Sequence, residues 1–145
     1  MNDSDRAVAV FGEGFNCAQA ILSVCGKRFS IDRDVALKVS AAFGGGMGRM
    51  GETCGAVTGA FMVIGLKHGQ TEAKDYQAKE KTYKVIREFV LKFKERNGSL
   101  LCRELLGCDI SSPEGFKSAQ DSKLFKSICP NYVRDAADIL EEIVT

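Results

Sequence analysis

The sequence predicts an all-α fold, a single-domain helical bundle of about six to eight helices over residues 1–145. Three observations carry this. Only two prolines occur in 145 residues. Apolar residues recur at spacings of three and four, and β-branched residues do not alternate with polar ones. Finally, residues 54–66 contain no charged side chain. A helix there is apolar all round and belongs in the middle of a bundle. This buried helix is expected over about residues 53–68.

A chain of this length buries a core of useful size. Hydrophobic residues make up 45% and charged residues 27%, as in ordinary globular proteins. A net charge of +1 gives no global attraction to nucleic acid. The longest apolar run, residues 56–66, is too short and too glycine-rich to span a bilayer. The polar start Met-Asn-Asp-Ser-Asp-Arg does not read as a signal peptide. A cytoplasmic location without membrane insertion is expected.

In chain order, residues 3–11 form a short helix with Ala7, Val8, Val10 and Phe11, broken by Gly12-Glu13-Gly14. Asn16 is a good N-cap for a helix from Cys17 to about Phe29. That helix has two apolar stripes, Ala18/Leu22/Cys25/Phe29 and Cys17/Ile21/Val24. Ser30 starts a third helix, with Val35, Val39, Ala42 and Phe43 at helical spacing. A glycine loop, residues 44–51, follows. Thr53 caps the central helix, which ends near Lys67-His68-Gly69. Thr71 caps a long helix to about Asn97, with Tyr76, Tyr83, Ile86, Val90 and Phe93 inward. Its other face is charged and carries the pairs Glu80/Lys84 and Glu88/Lys92. A short helix, residues 102–106, stops at Gly107. Ser112-Pro113 starts a helix to about Leu124. Pro130 opens the last one, with Val133, Ala136, Ala137, Leu140 and Ile143 inward.

Six cysteines in a reducing compartment are not expected to form stable disulfides. Cys17, Cys54, Cys102 and Cys129 all fall at predicted helix N-termini. Free backbone N–H groups and the positive end of the helix dipole favour a thiolate there. Cys25 lies mid-helix, and Cys108 lies beyond a helix C-terminus. Four is the number of thiolates in an all-cysteine iron–sulfur or zinc site. No C-x-x-C occurs, so the common zinc-ribbon and ferredoxin spacings are absent, as is c-type haem attachment. Buried structural cysteines are the plain alternative.

Gly46-Met47-Gly48-Arg49-Met50-Gly51 spells G-x-G-x-x-G. A helix rather than a strand precedes it, which argues against a dinucleotide fingerprint. The loop is expected instead to turn backbone N–H groups toward a sulfur or cluster at Cys54. Gly51, Thr53 and Gly55 are then the cofactor-contacting residues. Gly55 and Gly59 also allow a neighbouring helix to approach closely. His68, the one histidine, reads as a C-terminal cap. Arg49 and Glu52 flank the cysteine site, and Glu52 reads as a solvated loop carboxylate.

Four segments together resemble a known family: Asn16-Cys17-Ala18-Gln19-Ala20, Cys54-Gly55-Ala56-Val57-Thr58-Gly59, Cys102-Arg103-Glu104-Leu105-Leu106-Gly107, and Cys129-Pro130 with Val133, Ala136 and Ala137. It is the redox-active protein family named for a C…GCAxxG…C…C pattern, and the resemblance covers nearly the whole chain. It implies a small redox-active protein whose defining cysteines match Cys17, Cys54, Cys102 and Cys129, with Cys102 preferred to Cys108 for the third position. A similar domain is attached to split-Soret-type multihaem cytochromes, where it is associated with an iron–sulfur cluster. This chain lacks haem motifs, so the cytochrome function does not carry over.

The resulting expectation is an electron-transfer protein whose four cysteines hold an iron–sulfur cluster, [2Fe–2S] in preference, and serve an unidentified redox partner protein. Two alternatives stay open. One is a metal-free thiol–disulfide protein using the same cysteines. The other is a structural Cys₄ zinc site in an interaction domain. A homodimer is also left open.

Overall fold

Burying an uncharged helix requires the rest of the chain to surround it, and it does so except toward the C-terminal end, where Leu66 is 40% exposed. The structure is a computed structural model that describes residues 1–144. Its helices are α1 (Asp3–Gly12), α2 (Cys17–Cys25), α3 (Arg33–Ser40), α4 (Gly55–His68), α5 (Tyr76–Asn97), α6 (Cys102–Leu106), α7 (Pro113–Asp121), α8 (Leu124–Ser127) and α9 (Cys129–Val144). The described residues thus hold eight helices of five residues or more, one four-residue turn (α8), and no strand. Helix α4 buries Ala56, Val57, Ala60, Val63 and Ile64. It packs most extensively on α2, and also on α5 and α9. The close approach to α2 depends on Gly59. A Cβ there would stand 3.0 Å from the Ala18 carbonyl oxygen and 3.1 Å from Ile21 Cβ.

Several helix starts differ from the sequence expectation, each for a local reason. Helix α2 ends at Cys25, and residues Lys27–Phe29 tighten into a 3₁₀ turn. Ser30 stops that turn in a left-handed conformation (φ 67°) instead of capping a helix. Asp32 caps α3 through Val35 N. Helix α3 then buries Ala36, Leu37 and Ser40 and leaves Val35 and Val39 about half exposed. Ser40 tolerates burial because its hydroxyl donates to Ala36 O at 2.6 Å. Helix α5 starts at Tyr76 and is capped by Asp75, whose carboxylate accepts from Ala78 N. Thr71 lies outside it. Its buried stripe is Val85, Phe89 and Phe93, and Tyr76 and Tyr83 are exposed. Lys123, left-handed at φ 57°, separates α7 from α8. The starts of α6, α7 and α9 fall within a residue of expectation.

Cys25 sits at the far end of α2, against Asp3, Arg28 and Glu141. Arg28 bridges Asp3 (3.0 Å) and Glu141 (3.1 Å) and so ties α1 to α9. Burial, with Asp3 adding to it, pushes the Cys25 thiol up to about 12. In the unfolded chain a thiol ionises near its ordinary value of about 8.5. Folding therefore holds a proton that the unfolded chain releases. The associated stability is fully present below about pH 8.5 and is lost as pH rises toward 12. Cys25→Ala should make the loss of stability between about pH 8.5 and 11 shallower. Urea midpoints measured across that range test this, and parallel slopes for the two proteins would count against it.

Candidate functional site

Each of the four N-terminal cysteines is placed by its own helix start. Cys17 is the first residue of α2, which begins with a capping box. Asn16 Oδ1 accepts from Gln19 N, and Gln19 Oε1 accepts from Asn16 N, both at 2.9 Å. The same two side chains reach outward: Asn16 Nδ2 donates to Ala41 O and Gln19 Nε2 to Leu37 O, both at 3.0 Å. The start of α2 is thus fixed to α3 and to the turn leading into the glycine loop. Cys129 is the first residue of α9. Tyr132 Oη, one turn on, donates to Leu105 O at 2.7 Å and holds α9 against α6.

Cys54 and Cys102 are brought together by a feature with no helical signature. Thr53 and Leu101 form an isolated antiparallel bridge. It is flanked by Cys54 N donating to Leu100 O (2.8 Å), Cys102 N to Glu52 O (2.6 Å) and Arg103 N to Gly51 O (3.2 Å). Thr53 is therefore spent on pairing and does not cap α4. Cys54 itself occupies the cap position, with no side-chain cap bond. An Arg103–Glu52 ion pair (3.3 Å) closes the outer side.

The glycine loop is a short left-handed coil. Gly45, Gly46, Met47, Gly48 and Arg49 all have φ between 58° and 67°. Every amide from Met47 to Glu52 donates to a carbonyl of residues 42–47. These six N–H groups, that of Gly51 included, are turned inward to the loop and do not wrap a sulfur, so the sequence expectation is not met over residues 47–52. The glycines serve close approach instead. At Gly46 (φ +67°) a Cβ would stand 2.6 Å from Glu52 N and 2.7 Å from Cys102 Cβ. Gly46→Ala should combine left-handed strain of about 1 kcal/mol with overpacking of about 1–3 kcal/mol. A fall in the urea midpoint equivalent to about 2–4 kcal/mol is expected. An unchanged midpoint would mean that the loop is not packed on Cys102.

The four thiols line one cavity of about 620 Å³. Gly44, Gly45, Gly46 and Gly55 also line it, as do Phe11, Phe116, Phe125, Leu106 and Ile110, which cluster with Cys17, Cys102 and Cys129. Hydrogen bonds to Cys129 and Cys54, followed by burial, hold the Cys17 thiol protonated well above its ordinary value. Cys54 moves the other way. The Cys17 S–H donates to it, and the amides of Ala56 and Val57 add to that against the cost of burial. Burial pushes Cys102 up to about 12. A helix N-terminus alone therefore does not make a thiolate: burial raises Cys102 despite its place at a helix start.

Of the residues expected to contact a cofactor, Gly55 lines the cavity and Gly51 and Thr53 do not. Cys25 lies elsewhere. Cys108 packs near Cys102 in the second apolar cluster without lining the cavity. His68 ends α4, away from the thiols. No group of three or more His, Cys, Asp or Glu side chains among the described residues is arranged to hold a metal ion. No described helix is long and apolar enough to cross a membrane. Sequence reading missed the aromatic wall. Phe116 and Phe125 sit on two short helices whose apolar signal is weak, and they meet only across the Lys123 break, with ring centroids 5.7 Å apart.

The model of the family described as "putative redox-active protein (C_GCAxxG_C_C)" matches residues 15–143, a span holding all four cavity cysteines. Where that description writes Gly-Cys-Ala, this chain has Cys54-Gly55-Ala56. No curated protein and no solved structure matches.

Proposed function

The chain belongs to the C_GCAxxG_C_C family, and from that premise we propose that Cys17, Cys54, Cys102 and Cys129 form a single redox centre that holds an iron–sulfur cluster, [2Fe–2S], for one-electron transfer. One observation carries this reading: four thiols from four separate helix starts line a common cavity. Their chemistry suits the group, since iron–sulfur clusters are held by four cysteine thiolates.

When bound, the cluster supplies a one-electron couple. The chain's own residues do the rest. The Ala56 and Val57 amides favour negative charge on the Cys54 sulfur, an influence of the kind that tunes a cluster potential. The apolar wall limits water, and the capping box and the Tyr132–Leu105 bond keep the sulfurs in place. A second reading has its own support. Cys17 hydrogen-bonded to a Cys54 favoured as thiolate is the arrangement of a dithiol pair. Closing to a disulfide from that state would pass two electrons to an external redox partner and release the one proton held by Cys17.

Anaerobic purification followed by iron and acid-labile sulfide analysis tests the first reading. Two irons and two sulfides per chain, with a one-electron couple, are expected. An iron-free protein with a reversible two-electron thiol couple would replace it with the second. Stoichiometric zinc and no redox activity would replace it with a structural zinc site.

A further inference from the structure

The cavity is larger than a cluster requires. A water molecule takes about 30 Å³, so a core of two irons and two sulfides, on the order of four waters, fills roughly 120 Å³. Most of the 620 Å³ is left over, and that remainder has a definite chemistry. Its walls are aromatic and aliphatic: Phe11 on α1, Phe116 on α7, Phe125 on α8, Leu106 at the end of α6 and Ile110 beyond it. Phe116 and Phe125 meet at a tilt of 45°, leaving ring faces and edges turned to different directions. Small-molecule sites have this character, of several hundred Å³ with mostly apolar walls and a few polar groups that fix orientation.

The polar groups are asymmetric. Among the described residues the lining contains one charged side chain, Arg49, and no carboxylate. The Arg49 guanidinium lies 4.1 Å from the Phe116 ring centroid and has no carboxylate partner among the described residues. It is exposed at the end of the left-handed coil, while Arg103 close by is paired with Glu52. A guanidinium held over an aromatic ring and not paired to a carboxylate keeps N–H donors available, and their fork matches a carboxylate. Gln120, also in the lining, adds an amide on the same α7 side.

We infer that the cavity beyond the thiols is a binding site for a small aromatic carboxylate. Its ring lies among Phe11, Phe116 and Phe125 and its carboxylate meets Arg49 at the mouth. This rests on the proposed redox centre only for what the ligand faces; the binding itself needs no cluster. The ring end would lie on the side of the cavity shared with Cys17 and Cys129, which makes the ligand a candidate electron acceptor or donor of that centre.

The probe is 2-naphthoate, titrated calorimetrically into the anaerobically purified full chain, with the neutral 2-naphthylmethanol as counterpart. Saturable one-to-one binding of 2-naphthoate is expected. Arg49→Gln, and replacing the carboxylate by the alcohol, should each weaken it about tenfold or more, the value of one charge-assisted contact. Phe125→Leu should weaken both ligands together. Absence of saturable binding overturns the inference. So does an Arg49→Gln effect of equal size on acid and alcohol, because Arg49 would then act only as packing at the rim. Iron analysis of the same sample separates the two proposals. Binding without iron retains this inference and removes the cluster; iron without binding does the reverse.

Discussion

Phe89→Ala is expected to destabilise the protein by about 3–5 kcal/mol, lowering its melting temperature by roughly 10–15 °C for a chain of this size. Phe89 is fully buried in the main apolar cluster. Its ring stacks on Phe93 at 5.9 Å, with the planes 20° apart, and meets Phe61 of α4 edge-on at 6.2 Å. Truncation removes both ring contacts and leaves a void between α4 and α5. Helices of full length on both sides restrict its collapse, which places the cost in the upper part of the usual range. Phe89→Leu keeps most of the volume and should cost less than half as much. Thermal and urea unfolding of the two variants give the comparison. A loss below about 1 kcal/mol for the alanine variant would show that α5 does not pack on α4 through this ring. Tyr83→Ala is the opposite case, because Tyr83 is half exposed and lies under Lys79 at 6.0 Å.

That contrast shows what the sequence reveals and what it hides. On α5 the apolar residues occupy two adjacent faces, Val85/Phe89/Phe93 and, one residue round, Ile86/Val90. Periodicity identifies the helix but cannot choose between faces one residue apart. The choice is made by Phe61 on α4 and by Tyr132 on α9, whose ring lies 6.3 Å from Phe93. On α3 the same ambiguity runs the other way, and small Ala36 and Ser40 take the buried face from Val35 and Val39 because they admit α2 more closely. The uncharged α4 was legible because it has no alternative face. The helix-start position of four cysteines was legible for a related reason: caps and prolines are local signals. Their convergence was not. It depends on the Thr53–Leu101 bridge, which joins segments 48 residues apart, and on a left-handed coil whose glycines also spell G-x-G-x-x-G. Local patterns state neither of these.

Replacing any one of Cys17, Cys54, Cys102 and Cys129 by serine is expected to abolish the iron and sulfide content of anaerobically prepared protein, while Cys25→Ser and Cys108→Ser leave it unchanged. Serine keeps the shape of the side chain and removes the thiolate, so the series isolates the donor atom from the packing. Each substitution adds a hydroxyl to a mostly buried site, at a cost of about 1–3 kcal/mol if it finds no partner, well below that of Phe89→Ala. Far-ultraviolet circular dichroism should therefore show a folded chain in every case. Cys54→Ser carries most information. The Ala56 and Val57 amides favour a thiolate there, and a serine at this cap position can accept N–H groups of the first turn. The variant should then be at least as stable as the others and still hold no iron. The Cys102/Cys108 pair tests the third position directly. Cys102 opens α6 and lines the cavity, whereas Cys108 lies past the left-handed Gly107 (φ 74°), with its thiol directed to Gly115 O at 4.0 Å. Iron lost in Cys108→Ser and kept in Cys102→Ser would move the ligand to Cys108 and would require α6 to unwind. Iron kept in all six variants would remove the four-cysteine centre altogether.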